Sequence, residues 1–192
     1  MLTSNKTNIE EGAERHDGLL PAVSTAAGQW YALYTRSHCE QLVYDQLVAK
    51  GFSLFLPKIP VWSQRAGVKH RIVVPMFPGY LFLQSHMDSA HYLTIHQARG
   101  LVRILGQGWE RLAVVPEGEI HAIRAVLHSR LPLSPHPYLR EGQRVRIIRG
   151  PLSGVEGLFV HNKAPKGRLV LSVELLQKSV AVEIDDIAVE EA

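Results

Sequence analysis

The chain has 192 residues, 46% of them hydrophobic and 20% charged, and a formal net charge of +3. This length supports one large or two small domains with adequate cores, and the composition is that of an ordinary globular protein. No apolar run approaches the ~20 residues that span a bilayer, and the N-terminus lacks a basic-then-apolar signal, so we predict a cytoplasmic protein without a membrane partner. The single cysteine, Cys39, excludes an internal disulfide and a multi-thiolate zinc site within one chain.

Basic residues are concentrated in the middle of the chain. Residues 29–138 hold eleven Lys and Arg side chains against six Asp and Glu, whereas residues 139–192 hold eight of each. This moderate excess suits contact with a polyanion but does not require it, because many basic faces are simply solvated.

The first 28 residues are polar and without period, which predicts a disordered tail. Residues 29–35 are apolar and aromatic, which predicts a central strand. Ser37 and Glu40 have the spacing of a capping box, so we predict a helix over residues 38–50. Its buried stripe is predicted to hold Leu42, Val43 and Leu47, with Cys39 on the same side.

Residues 52–62 predict a second strand, which Pro57 and Pro60 confine to an edge or a bend. The basic segment 63–71 is predicted to be a turn. Residues 52–85 are therefore expected to form a long hairpin with a charged tip.

Residues 75–83 predict a strand that stops and restarts. Two prolines remove backbone donors before Gly79, which permits a sharp change of direction. From Tyr80 onward the residues alternate, which predicts one face with Tyr80 and Phe82 and a second face with leucines.

Two more helices and two short strands complete the first domain, which we assign to residues 29–130. Asp88 is predicted to cap a helix that runs to about Ala98, and Pro116 to start the next one. Short strands are predicted at residues 101–105 and 112–115.

The texture of the sequence changes after residue 130. Residues 131–138 are proline-rich, which predicts a semi-rigid extended linker. Residues 139–192 predict four or five short strands with glycine and proline turns, the pattern of a small β-barrel. The predicted fold class is α+β: an antiparallel sheet with flanking helices, followed by a β-barrel.

No catalytic residue, metal ligand or cofactor is predicted. His86, His91 and His96 recur every five residues, so a helix would point them in different directions. The glycine-rich residues 150–157 lack a Lys-Ser or Lys-Thr and precede a strand, unlike a phosphate-binding loop. Cys39 is predicted to be a packed, inert thiol. We therefore expect a binding protein and not an enzyme.

Two surfaces are candidates for partners. Four aromatic residues line one apolar depression if their strands are neighbours, although a fully buried core position is the alternative for each. They are Tyr34, Phe77, Tyr80 and Phe82. Five basic residues form a candidate rim for nucleic acid, with scattered solvated charges as the alternative. They are Arg36, Arg65, Lys69, Arg71 and Arg99.

Several motifs occur in a defined order. They are Trp30-Tyr31-Ala32-Leu33-Tyr34-Thr35, Phe77-Pro78-Gly79-Tyr80-Leu81-Phe82, Ala98-Arg99-Gly100-Leu101-Val102 and, after the proline-rich linker, residues 145–157. In this order the chain resembles the N-terminal (NGN) and KOW domains of NusG-type transcription elongation factors over about residues 29–190. The resemblance implies a ferredoxin-like sandwich followed by an SH3-like barrel.

The resemblance also implies partners and site residues. The N-terminal domain of such factors docks onto the clamp helices of the largest RNA polymerase subunit, and by position Tyr34, Phe77, Tyr80 and Phe82 match this surface. His91-Tyr92-Leu93 match the loop that reaches the lobe of the second-largest subunit. Arg36, His38 and Arg99 match the approach to the non-template DNA strand. The KOW domain would recruit a small-subunit ribosomal protein or the terminator Rho. We expect a monomer that stabilises one polymerase conformation without chemistry.

Within the family, residues 98–101 and the short basic segment 63–71 are closer to specialised paralogues of the RfaH kind than to the housekeeping factor. The leading hypothesis is an operon-specific antiterminator that suppresses pausing or termination. The Gly- and Val-rich residues 145–184 favour a barrel over the helical hairpin of RfaH. The alternatives are a housekeeping factor coupled to Rho or the ribosome, an RNA- or ribosome-binding KOW protein, and an enzyme with an unrecognised site.

Overall fold

The computed structural model describes residues 28–136, 142–160, 166–185 and 189–192. The predicted tail lies outside these residues, apart from Gly28, as does the C-terminal end of the predicted linker. Over the described ranges the chain is an α+β protein with three α-helices, two larger antiparallel sheets and a separate two-stranded hairpin. None of these helices is long and apolar enough to cross a membrane.

The first unit contains all three helices. Its elements are β1 (Gln29–Thr35), α1 (Glu40–Ala49), β2 (Ser53–Phe55), β3 (Lys58–Arg65), β4 (Val68–Pro75), β5 (Tyr80–Ser85), α2 (Ser89–His96), β6 (Leu101–Ile104), β7 (Val114–Val115) and α3 (Glu117–Ser129). The predicted first strand and the three predicted helices are present. At the start of α2 the Asp88 carboxylate accepts a hydrogen bond from the His91 backbone N–H at 2.7 Å, as the sequence predicts.

The main sheet has the strand order β2-β5-β1-β6, and β7 pairs with β1. Because side chains alternate along a strand, β1 and β5 build two different cores. One face, with Trp30 and Phe82, packs with the apolar stripe of α3. The opposite face, with Leu33 and Leu81, packs with buried residues of α1 and α2. Both faces are therefore covered along most of the sheet.

The capping box predicted for α1 is wrong. The N-cap is Cys39, and no side chain caps this helix. The Glu40 side chain is buried and turns toward the β4–β5 connection, where it accepts a hydrogen bond from the Gly79 N–H. The predicted burial of Leu42 is also wrong. Val43 and Leu47 form the buried stripe of α1, and Leu42 lies off that stripe and faces solvent.

Strands β3 and β4 pair only with each other. The predicted basic turn is shorter than expected, because residues 63–65 and 68–71 continue the two strands and only Ala66 and Gly67 form the turn. Both turn residues have positive φ, 50° and 80°, which suits the right-handed twist of a two-residue hairpin. Ile59 anchors the root of the hairpin in the core, while most of the outer residues are exposed.

The second unit is built from strands within the described residues. They are β8 (Leu133–His136), β9 (Gln143–Ile147), β10 (Glu156–Val160), β11 (Lys166–Val173), β12 (Lys178–Asp185) and β13 (Val189–Glu191). They form one antiparallel sheet in the order β13-β9-β10-β11-β12-β8. Part of the predicted linker is thus extended, as expected, but β8 pairs with β12 as a strand of this sheet. Helix α3 contacts β11, and buried residues of the two units form one continuous cluster.

Candidate functional site

An aromatic pair marks the open end of the main sheet. Tyr34 on β1 is directly opposite Tyr80 on β5, and the two ring centroids are 5.1 Å apart. Tyr34 is 36% exposed, although it follows four buried residues of the same strand. Helix α3 covers the Trp30 end of this face, whereas Tyr34 at the other end is exposed.

The Phe-Pro-Gly-Tyr turn holds this pair in place. Gly79 has a φ of +87°, which favours glycine, and a Cβ added there would lie 3.3 Å from Cε2 of Tyr34. The Gly79 N–H donates to Oε1 of Glu40 at 2.7 Å, and the Gly79 carbonyl accepts from the Thr35 N–H at 2.8 Å. The turn is therefore tied to both β1 and α1, and it packs against the Tyr34 ring.

Two of the four predicted docking aromatics are not exposed. Phe77 is 1% exposed and Phe82 is 0% exposed, and their rings contact edge to face with centroids 6.0 Å apart. For Phe77 and Phe82 the alternative of a buried core position holds, because both belong to the core cluster shared with α3. Tyr80 packs against this cluster.

The surroundings of Tyr80 shift the pKa of its phenol. Burial raises the pKa of the Tyr80 phenol above 10.0, the neighbouring Tyr34 raises it further, and Arg103 opposes the shift. Arg103 on β6 lies opposite Tyr34 in the sheet and is exposed. The pair therefore has the Arg103 guanidinium at its edge.

The three residues predicted to approach DNA lie where the β1–α1 connection meets the turn between α2 and β6. Arg36 and His38 lie in the β1–α1 connection, and the Arg36 N–H donates to the Gly100 carbonyl at 2.7 Å. Arg99 is fixed by Gln46, whose amide accepts from the Arg99 N–H and donates to the Arg99 carbonyl, both at 3.0 Å. All three basic side chains are exposed. The structure thus places Arg36, His38 and Arg99 on adjoining turns.

The other predicted basic residues lie on the β3–β4 hairpin. Arg65, Lys69 and Arg71 are exposed there, on a two-stranded sheet separate from the Arg36 junction. The single rim proposed from the sequence is therefore divided into two basic surfaces.

The predicted lobe-contacting residues lie within helix α2, on the other side of the main sheet from the Tyr34–Tyr80 pair. Leu93 is exposed, whereas Tyr92 packs against His96 and Trp109 with centroids 4.4 and 5.2 Å away. The His91 ring lies 5.4 Å from the Phe52 ring, and its Nδ1 is 3.0 Å from the His86 carbonyl oxygen. These residues form a second, separate surface.

Metal-binding residues do not converge in the part of the chain that the structure describes: no group of three or more His, Cys, Asp or Glu side chains there has the geometry to hold an ion. Cys39 is half-buried, and its Cβ would lie 2.7 Å from a Cβ added to Gly100. This contact makes Gly100 a packing requirement for the turn that carries Arg99.

Sequence analysis missed three residues that shape the site. Glu40 was assigned to helix capping, although it anchors Gly79. Arg103 requires the β1–β6 register to be placed beside Tyr34. Arg124 of α3 lies over the rings of Trp30 and Phe55, at 4.9 and 5.2 Å from their centroids. An arginine on the apolar side of a predicted helix was the one available signal for this cation–π contact.

The described residues thus form an α+β protein of two strand-containing units. A protein-family model described as "Transcription termination factor nusG" matches residues 28–124. The chain belongs to this family, NusG.

Similar proteins support this assignment along most of the chain. The chain is 25% identical over 169 residues to the "Transcription termination/antitermination protein NusG" of Pseudomonas aeruginosa, covering 83% of this chain and 96% of the relative. The protein of the same name from Thermus thermophilus is 23% identical over 174 residues, with coverage of 82% and 95%. A solved structure titled "Domain interaction in Thermotoga maritima NusG" has a TM-score of 0.53 at 17% identity and covers 85% of this chain and 96% of that one. This structure supports the fold.

Proposed function

We propose that this chain is a transcription termination/antitermination factor that binds RNA polymerase through the Tyr34–Tyr80 pair. The relatives named above carry that description, and the family model covers the unit that holds the pair. The aromatic pair at the end of an otherwise covered sheet face, with Tyr34 exposed and Tyr80 half-buried beside it, carries the proposal.

The chemistry of the pair suits a helical partner. Amphipathic helices bind apolar grooves through a few anchoring side chains, and tyrosine offers a large apolar ring with one hydrogen-bonding hydroxyl. The proposed partner of these two rings, which lie 5.1 Å apart with Arg103 beside them, is the pair of clamp helices of the largest polymerase subunit. Phe77 and Phe82 act as buried supports of this surface, and His91, Tyr92 and Leu93 supply the separate contact to the second-largest subunit.

The basic junction extends the proposal to DNA. A factor docked by Tyr34 would carry Arg36, His38 and Arg99 on the turns next to β1, where three exposed basic side chains suit the phosphates of the non-template strand. No step of this mechanism needs a cofactor or a chemical reaction. The contacts stabilise the closed, processive polymerase over its paused form, which is a population shift.

The second unit is proposed to be a KOW barrel that recruits a further partner. The six antiparallel strands fit a small SH3-like barrel, and a small-subunit ribosomal protein or Rho is the expected partner. We favour an operon-specific antiterminator of the RfaH kind because residues 98–101 and the short basic segment 63–71 resemble those of the specialised paralogues. A housekeeping factor remains the second candidate, supported by the names of the relatives.

A binding measurement tests the proposal. Purified bacterial RNA polymerase is immobilised, and the full chain and its Tyr34→Ala variant are titrated over it. Interface anchors commonly contribute about 2 kcal/mol or more, so we expect Tyr34→Ala to bind at least ~30-fold more weakly. Trp62→Ala is the matched control, because it removes a large aromatic side chain that is even more exposed than Tyr34 and lies on the separate β3–β4 hairpin; it is expected to bind like the wild type. Equal binding by wild type and Tyr34→Ala would contradict the assignment of the docking surface.

A further inference from the structure

The β3–β4 hairpin has an outer face to which the proposed polymerase contacts assign no partner. In the register of this hairpin, Trp62 is opposite Arg71 and Gln64 is opposite Lys69. Directly opposite residues in an antiparallel pair point to the same side, so these four side chains share one face. We call it the Trp62 face.

Trp62 is the most exposed large apolar side chain of the described residues, at 73%. The alternate residues Ile59, Val61 and Val74 point inward and pack with the core, which anchors the hairpin at its root. Replacing Trp62 would therefore remove no core contact. The exposed indole, with the exposed Val73 on the same face, offers a flat apolar surface to a partner.

The charge of the hairpin indicates which kind of partner would bind over Trp62. The hairpin, residues 58–75, carries four Lys and Arg side chains and no acidic residue, and the sequence has no Asp or Glu between Asp45 and Asp88. Neither ion pair found among the described residues involves a hairpin cation. A shallow depression of about 480 Å³ lies between the indole and the Lys69 side chain, lined also by Ser63 and Gln64. A polyanion with flat apolar groups is complementary to this surface.

We infer that the Trp62 face binds single-stranded nucleic acid, with a base stacked on Trp62 and adjacent phosphates neutralised by Lys69 and Arg71. Stacking platforms flanked by cations bind single strands because unpaired bases offer a free face that a duplex does not. The inference rests on the proposed function for the source of the single strand, which would be an exposed strand of the transcription bubble or the transcript. Its chemistry rests on the geometry of the hairpin.

The test uses the full chain and a fluorescently labelled oligothymidylate, with a duplex of equal length as comparison. Base–aromatic stacking contributes about 1–3 kcal/mol, so Trp62→Ala is expected to bind the single strand roughly 5- to 150-fold more weakly. Trp62→Phe retains a ring and is expected to recover most of that loss. Val73→Ala, an exposed apolar residue on the same face, is the matched control and is expected to change the affinity less than ~2-fold.

The dependence of the affinity on salt concentration separates base stacking on Trp62 from the phosphate contacts of Lys69 and Arg71. The double variant Lys69→Ala/Arg71→Ala removes up to two phosphate contacts, so the slope of log affinity against log salt should become shallower by about 1.4. Trp62→Ala should leave that slope unchanged. Duplex affinity should change less than ~2-fold in Trp62→Ala.

Three results would overturn the inference: no binding of the single strand by the wild type, equal binding by Trp62→Ala, or an equal loss on single strand and duplex. Polymerase binding reports separately on the proposed function. If Trp62→Ala loses the oligonucleotide while the wild type fails to bind polymerase, the inference stands and the proposed function fails.

Discussion

Glu40 is predicted to be the residue on which the geometry of the docking pair depends most. Its buried carboxylate accepts a 2.7 Å hydrogen bond from the Gly79 N–H, so Glu40→Ala leaves that donor without its partner. A hydrogen bond to a charged group contributes about 1.5–3 kcal/mol. An acidic side chain in the first turn of a helix adds about 0.3–1 kcal/mol. We therefore expect Glu40→Ala to lower the free energy of unfolding of the first unit by about 2–4 kcal/mol.

Urea unfolding followed by the fluorescence of the buried Trp30 measures this loss. Glu40→Gln keeps an oxygen acceptor without the charge and is expected to lose about half as much. Asp45→Ala removes an exposed carboxylate from the same helix and serves as the matched control, with an expected change within about 0.5 kcal/mol. If Glu40→Ala costs no more than Asp45→Ala, the hydrogen bond to Gly79 does not hold the turn, and the reasoning is refuted.

Two further predictions concern the same sheet face. Arg124→Ala removes a guanidinium 4.9 Å from the Trp30 ring centroid and should lower the free energy of unfolding by about 0.5–2 kcal/mol. Arg124→Lys should recover part of that loss. An unchanged free energy of unfolding in urea for Arg124→Ala would exclude the cation–π contribution. The Tyr80 phenol has a folded-state pKa above 10.0, because burial disfavours the phenolate, so its contribution to stability is complete below pH 10 and is lost as pH rises through the folded pKa. Phenolate absorbance should show Tyr80 ionising late, and Tyr34→Phe should lower its pKa; an unchanged Tyr80 titration in that variant would contradict the predicted coupling.

Local patterns predicted much of the first unit. The alternation after Gly79 correctly placed Tyr80 and Phe82 on one face, and Asp88 correctly marked the start of α2. These features depend on near neighbours in the chain, which periodicity and capping rules describe directly.

The mistakes share a physical cause, namely contacts between distant segments. Glu40 has the spacing of a capping residue, but its partner Gly79 lies 39 positions away. Phe82 alternates like an exposed strand residue, yet α3 closes over its face. Local sequence carries no signal for either contact, because both depend on how the helices pack on the sheet.

The hairpin illustrates the same limit for function. Its basic residues were expected in a turn, whereas they lie on the two strands; the two-residue turn and the register that places Trp62 opposite Arg71 come from the structure. The sequence alone gave no reason to single out Trp62, since a tryptophan in a strand is usually buried.

We propose that the Tyr34–Tyr80 pair binds this protein to an elongating polymerase. A single-round transcription assay over a template with a defined pause and a terminator tests it most directly, with wild type and Tyr34→Ala added at equal concentration. We expect the wild type to shorten the pause and to increase read-through, and Tyr34→Ala to have little effect at that concentration. Pausing and read-through changed equally by both proteins, or by neither, would contradict it.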